Sequence, residues 1–271
     1  MIKNIVALPD TVVNSISEFI KEKRIISDPL IKDSIFSLLE EQCTVLYYPQ
    51  NDEENDGFHV QRITKNNLEH FVYINTHKAI EKQVFTAAHE LGHIMQLAEY
   101  LTAHCQDYSE EYEENCMNRF AADILMPKDI FLARVRENYK HYSTENNSIT
   151  KDNLLKFSIY LMDYFLVPFK AVLIRLFEIK FLQKKVAEEI LNDQKILEEI
   201  GIYIKNLGYK RLGIRTEKKS IKDFPELLNE AQKKDIFSQD KLDLIRKKMD
   251  IQIINSQELQ TTIKISEPKP E

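Results

Sequence analysis

Phe85-Thr86-Ala87-Ala88-His89-Glu90-Leu91-Gly92-His93 is the stretch on which the reading of this chain turns. Its two histidines stand four residues apart, close to one helical turn, so a helix places both imidazoles on one face, one above the other. From there both rings can reach a single ion at about 2.0–2.1 Å. Glu90 is rotated by about 100° from His89. It is poorly placed to join the histidines as a ligand, but it can reach a water held by the metal. Zinc lowers the pKa of such a water toward about 7, and a carboxylate beside it can take the proton and later return it to a leaving amine. The expected helix runs from about Lys78 to Ala98, with Ile80, Val84, Leu91 and Met95 as its core stripe. Leu91 lies about 200° around from His89, which turns the histidines away from that core. Gly92 costs about 1 kcal/mol relative to Ala inside a helix and so predicts a close neighbour at that point.

Two histidines do not complete a catalytic zinc site, which needs three protein ligands and an open position. Downstream candidates are Glu99, His104, Asp107, Glu110, Glu111, Glu113 and Glu114. The best of them begin a second helix, from about Glu110 to Met126, which Pro127 ends. Glu114 shares a face with Met117, Ala121 and Leu125, and a carboxylate on an apolar face needs a strong partner. Glu113 shares a neighbouring apolar face with Phe120 and Ile124. Helical phase leaves both open. His59, His70, His77 and His141 read as ordinary surface or hydrogen-bonded residues. Tyr73, Tyr100 and Tyr112 are candidates for stabilising an oxyanion, with nothing in the sequence to choose among them.

Outward from this centre, Thr11 to Lys23 and Pro29 to Gln42 read as amphipathic helices. Three short runs rich in β-branched and aromatic residues follow, Cys43 to Tyr48, Gly57 to Ile63 and His70 to Asn75, and read as strands. Beyond a polar connector, Asn138 to Asn147, Thr150 is placed to cap a helix reaching about Phe165, with Ile149 and Leu154 as its hydrophobic staple. A tight turn at Leu166-Val167 leads into a further helix, Pro168 to Phe177, a pair that resembles a helix-turn-helix. After helix through Ile200 comes a basic segment, Tyr203 to Lys219, then two helices near Phe224 to Lys233 and Ser238 to Met249.

The 271 residues include only 5 Gly and 8 Pro, which favours long helices over a many-turned β fold. A formal net charge of -6 argues against general nucleic-acid binding by the whole chain. Cys43, Cys105 and Cys116 are odd in number and lack a C-x-x-C spacing, against a disulfide framework or a thiolate zinc site and in keeping with a reducing cytoplasm. Met1 to Pro9 does not read as a secretory signal. The most apolar stretch, Leu154 to Ile179, is broken by charges and Pro168 and does not read as a membrane span.

The zinc-helix stretch resembles the active-site helix of the ImmA/IrrE family of metallo-endopeptidases. So does Glu114 with Asn118-Arg119-Phe120-Ala121-Ala122-Asp123-Ile124-Leu125-Met126-Pro127. Phe165 to Val172 with Arg175-Leu176 is similar to the family's helix-turn-helix-like segment, and Leu227-Leu228, Ala231, Ile236, Ser238 and Leu242 to its C-terminal helix pair. The likeness spans roughly residues 10 to 250, and the zinc motifs are its specific part. Met117 departs from the family's small residue, and Pro168 from its frequent capping Ser.

The resemblance implies that Glu114 is the third ligand beside His89 and His93, that the ion is a single Zn2+, and that Glu90 is the catalytic base. It implies an α+β, mostly helical fold: a zincin-like domain over residues 1–136 with a small three-stranded antiparallel sheet, a helical helix-turn-helix-like region over 148–250, and a flexible tail over 251–271. It also implies a cytoplasmic zinc endopeptidase whose protein substrate is a helix-turn-helix transcriptional repressor. The alternatives are a DNA-binding regulator, resting on Leu154 to Phe177 and the basic run Lys205, Lys210, Arg211, Arg215, Lys218 and Lys219, or the toxin of a two-gene system with a non-proteolytic role.

Overall fold

The computed structural model describes residues 4–25, 30–63, 68–146 and 148–249. Contacts divide the chain into two units, Met1–Lys222 and Asp223–Glu271. The expected tail, 251–271, lies outside the described residues.

The first unit begins with α1 (Asp10–Glu22) and α2 (Ile35–Gln42), whose buried faces are Val12, Ile16, Phe19, Ile20 and Ile35, Leu39. Three strands follow, β1 (Thr44–Tyr48), β2 (Gly57–Ile63) and β3 (Leu68–Asn75). The sheet is four-stranded and mixed, in the order β2-β3-β1-β4, where β4 is Ser220–Ile221. The expected three-stranded antiparallel sheet is therefore corrected. β2 and β3 form an antiparallel pair, yet β3 runs parallel to β1, and β4 adds antiparallel on β1's far side. Burial explains the order. Val72 and Ile74 of β3 are buried and suit an interior strand, whereas β2 carries Gln61 and Arg62 exposed and suits an edge.

The central helix α3 is Ile80–Ile94 and packs against the sheet and α2. It ends earlier than the sequence suggests because Gln96 takes a left-handed conformation (φ 60°), from which α4 (Leu97–His104) sets off. The next long helix, α5 (Glu113–Leu125), packs along both α3 and α1. Gly92 is a point of close approach between α3 and α5. A Cβ there would lie 2.8 Å from Met117 Sδ and 3.1 Å from the Phe120 ring. Gly57 does the same for the sheet, since its Cβ would lie 2.5 Å from Tyr73 O and 2.6 Å from Thr86 Cγ2. The backbone oxygen cannot swing aside, so Gly57→Ala should push β2 off β3 and α3. A loss of about 1–3 kcal/mol is expected in chemical denaturation; unchanged stability would mean that β2 is not held this tightly.

Past α5 come α6 (Lys128–Asn138), α7 (Lys151–Phe165) and α8 (Phe169–Glu178). Thr150 caps α7 as expected, its hydroxyl accepting from Asn153 N at 3.2 Å. Leu166, left-handed at φ 56°, turns the chain into α8, and the two axes meet at 103°. α9 (Lys184–Asn192) and α10 (Gln194–Asn206) complete the helical layer. These helices belong to the same unit as the sheet and α3.

One reason is Arg175. It is 1% exposed, donates to Met126 O and Asp123 on the α5 side, and pairs with Glu178. The other is a strap, residues 213–221, that returns to the start of α3. Ala79 offers that helix no side-chain cap, and Ile80 N donates instead to Ile214 O at 2.7 Å. Gly213 N donates to the buried Glu81 carboxylate at 3.0 Å, and Thr216 Oγ1 to Gln83 Oε1 at 2.9 Å. Helix starts leave N–H groups without intrahelical partners, and a distant segment satisfies one here. In the second unit, α11 (Phe224–Lys233) and α12 (Gln239–Lys248) form the expected pair, with Leu228 and Leu242 buried and Arg246 donating to Gln232.

Candidate metal centre

α3 and α5 bring His89, His93 and Glu114 together. Among the described residues they form the one group of three potential metal-ligating side chains, with ligand atoms within 4.8 Å of one another. His89 Nε2 lies 3.3 Å from Glu114 Oε2, and His93 Nε2 lies 3.8 Å from Glu114 Oε1. Glu113 takes a different place. Its Oε1 is 3.5 Å from His93 Nδ1, the ring nitrogen turned away from Glu114. Likewise His89 Nδ1 meets Asn118 Oδ1 at 3.2 Å. Acceptors on both Nδ1 atoms favour protons there and leave the two Nε2 lone pairs for an ion, the arrangement in which outer partners set the tautomer of a metal-binding histidine. Of Glu113 and Glu114, both open from helical phase, it is Glu114 that belongs to the group that could hold an ion.

Burial, then the neighbouring His93, lowers the pKa of His89, which keeps it in the neutral form a metal requires. Glu90 is 6% exposed, and burial, with Glu114 adding to it, raises its pKa to about 7. A carboxyl group poised near neutrality is suited to pass a proton in both directions. Glu114 has a side chain 72% exposed, so the group opens to solvent on one side. Two imidazoles and one carboxylate with an open side fit a catalytic metal ion, zinc being the ion this donor set commonly holds.

Other candidates lie elsewhere. His104 Nδ1 is bonded to Tyr100 O within α4, Asp107 accepts from Thr11, and His77 sits between Glu217 and Arg215 of the strap. Cys43, Cys105 and Cys116 are all unpaired, and burial raises the thiols of Cys43 and Cys116 to about 12. Asn118 had no role from sequence, although its position one turn beyond Glu114 was the available signal. Asn118→Ala should weaken metal binding about 10–100-fold while leaving the fold intact. Competition with a chromophoric chelator would measure this, and unchanged affinity would remove Asn118 from the site.

Residues 40–177 match the IrrE N-terminal-like domain of a peptidase family, a span that contains the whole cluster. The chain belongs to that family. No curated protein matches this chain. Among solved structures, a Mycobacterium tuberculosis transcriptional regulator is similar at 16% identity with a TM-score of 0.39, over 62% of this chain and 47% of that one. The chain therefore matches about half the length of that relative.

In this IrrE-like chain the helix-turn-helix-like pair is largely core. Phe169, Ala171, Val172, Leu173, Arg175 and Leu176 of α8 are buried, so the helix does not present these side chains to a duplex. The basic run is also partly engaged within the unit. Lys218 lies over the Tyr47 ring at 3.8 Å, Lys219 over Tyr48 at 5.8 Å, and Arg211 pairs with Asp33. Among the described residues no single helix is long and apolar enough to cross a membrane. The bent pair α7 and α8 passes that test jointly by length and composition, but its apolar side chains fill the core.

Proposed function

We propose that this chain is a cytoplasmic zinc-dependent endopeptidase that hydrolyses a peptide bond in a helix-turn-helix transcriptional repressor. One observation carries the catalytic part: Nε2 of His89, Nε2 of His93 and the Glu114 carboxylate converge, with the buried Glu90 one residue along the same helix. The substrate class rests on the resemblance to the ImmA/IrrE family.

When bound by His89, His93 and Glu114, zinc would supply a Lewis acid for the attacking water and the scissile carbonyl. Glu90 accepts the proton of the attacking water and delivers it to the amine nitrogen as the C–N bond breaks. Asn118 and Glu113 hold the two imidazoles in the orientation that keeps their Nε2 atoms aimed at Glu114. β2 is the outermost strand on its side of the sheet, and an extended peptide is suited to pair along such an edge.

The test is incubation of the full chain and zinc with a helix-turn-helix repressor encoded in the same genome. A single defined cut is expected, lost on chelation and restored by zinc. A zinc-loaded chain that leaves the repressor intact would overturn the assignment of substrate.

A further inference from the structure

The centre described so far has a proton acceptor in Glu90 but no side-chain hydrogen-bond donor for the charge that grows on the carbonyl oxygen. Two of the tyrosines suggested by sequence are occupied, since Tyr73 donates its hydroxyl to Tyr48 O at 3.0 Å and Tyr100 donates to Glu22 at 3.4 Å, while the Tyr112 ring packs against the core. The sheet supplies another group. His59 projects from β2 on the side that faces α3, and its ring lies nearly parallel to that of His93, with centroids 6.3 Å apart and planes at 23°. On β3, His70 sits diagonally across from it, since His59 pairs with Val72 and His70 with Gln61. His59 Nε2 and His70 Nδ1 are 2.9 Å apart. Among the described residues His59 forms its hydrogen bond at Nε2, and its Nδ1 has no partner.

We propose that His59, held in place by His70, is a catalytic residue whose Nδ1–H donates a hydrogen bond to the developing oxyanion; this rests on the metallopeptidase reading above. One proton lies between His59 Nε2 and His70 Nδ1. With that proton on His70, His59 Nε2 accepts it and His59 carries its own proton on Nδ1, as a neutral ring with one donor. As the water oxygen adds to the carbonyl carbon, the π pair moves onto the carbonyl oxygen. His59 donates to that oxygen without giving up its proton. Glu90 alone carries the proton from water to the leaving amine. A fixed donor at such a position stabilises the transition state more than the substrate, because the charge is there only in the former.

The experiment uses the full chain loaded with Co2+ in place of zinc, so that visible absorption reports on whatever joins the metal. Two probes are titrated. Inorganic phosphate offers one oxygen to the metal and another to a nearby donor, whereas 2-mercaptoethanol needs only the metal. His59→Ala should weaken phosphate about tenfold or more and leave mercaptoethanol unchanged, with His59→Gln, which keeps an N–H donor, recovering part of the loss. Equal phosphate affinity in wild type and His59→Ala would overturn the proposal, as would parallel weakening of both probes, which marks a structural role. Failure of phosphate to perturb the cobalt spectrum of the wild type would overturn it too. A wild-type chain that binds no cobalt would instead sink the metallopeptidase reading, and the proposal with it.

Discussion

Replacing Glu90 with Gln is expected to leave the metal bound and to lower peptide hydrolysis by about 10²–10⁴-fold. The amide is nearly isosteric with the acid, so His89, His93 and Glu114 keep their positions while the proton acceptor is lost. The same substitution should have an opposite effect on the metal-free protein. Burial favours the neutral form of Glu90 and raises its pKa to about 7. Because the folded value lies above the unfolded one, folding takes up a proton. The carboxyl contributes no penalty below about pH 4.5, and stability is lost as the pH rises from there through the folded value. Gln carries no charge at any pH. The stability advantage of Glu90→Gln should therefore grow between about pH 4.5 and 7 and level off above, at up to about 2–3 kcal/mol. Urea denaturation of the apoprotein at pH 5 and pH 8 measures it. Hydrolysis as fast as wild type would remove Glu90 from the mechanism, and a pH-independent difference would show that its acid is not strained by burial.

Arg175→Met should destabilise the first unit by about 3 kcal/mol, seen as a drop in thermal midpoint of about 10 °C. Arg175 is fully buried and holds Asp123, Glu178 and the carbonyl of Met126. Methionine fills much of the space but pairs with none of them. Removing one partner of a buried ion pair leaves the other charged and desolvated, which costs more than the pair itself contributes. Arg119, which pairs with both Asp123 and Glu178, tempers the loss. A recognition helix would behave differently, since replacing an exposed basic side chain there would weaken duplex binding and barely change unfolding. A loss well under 1 kcal/mol would show that Arg175 is not the tie between α8 and α5.

The local signals in the chain were strong where one helix or one turn contains the whole message. The spacing of His89 and His93, the small residue Gly92, the Thr150 cap and the turn at Leu166 are all of this kind. Each depends on neighbours within about one helical turn, so the chain carries the information at short range. The strand segments were equally legible, because their β-branched and aromatic runs are local. Their pairing was not. β1 beside β3 in parallel, and β4 arriving from beyond α10, depend on which strand is most apolar and on a segment far along the chain.

By itself, then, the sequence determined that a helix presents two imidazoles and a carboxylate, and that an acidic helix start follows. Only the tertiary structure decided that Glu114 meets the Nε2 atoms while Glu113 and Asn118 meet the Nδ1 atoms, because adjacent positions on α5 differ by about 100° and both look toward apolar neighbours. It also decided that His59, unremarkable in its own strand, stands beside His93 with His70 as its partner, and that residues 213–221 close the start of α3. The physical reason is the same in each case. These contacts join elements distant in sequence, and their partners are selected by packing, which no local pattern encodes.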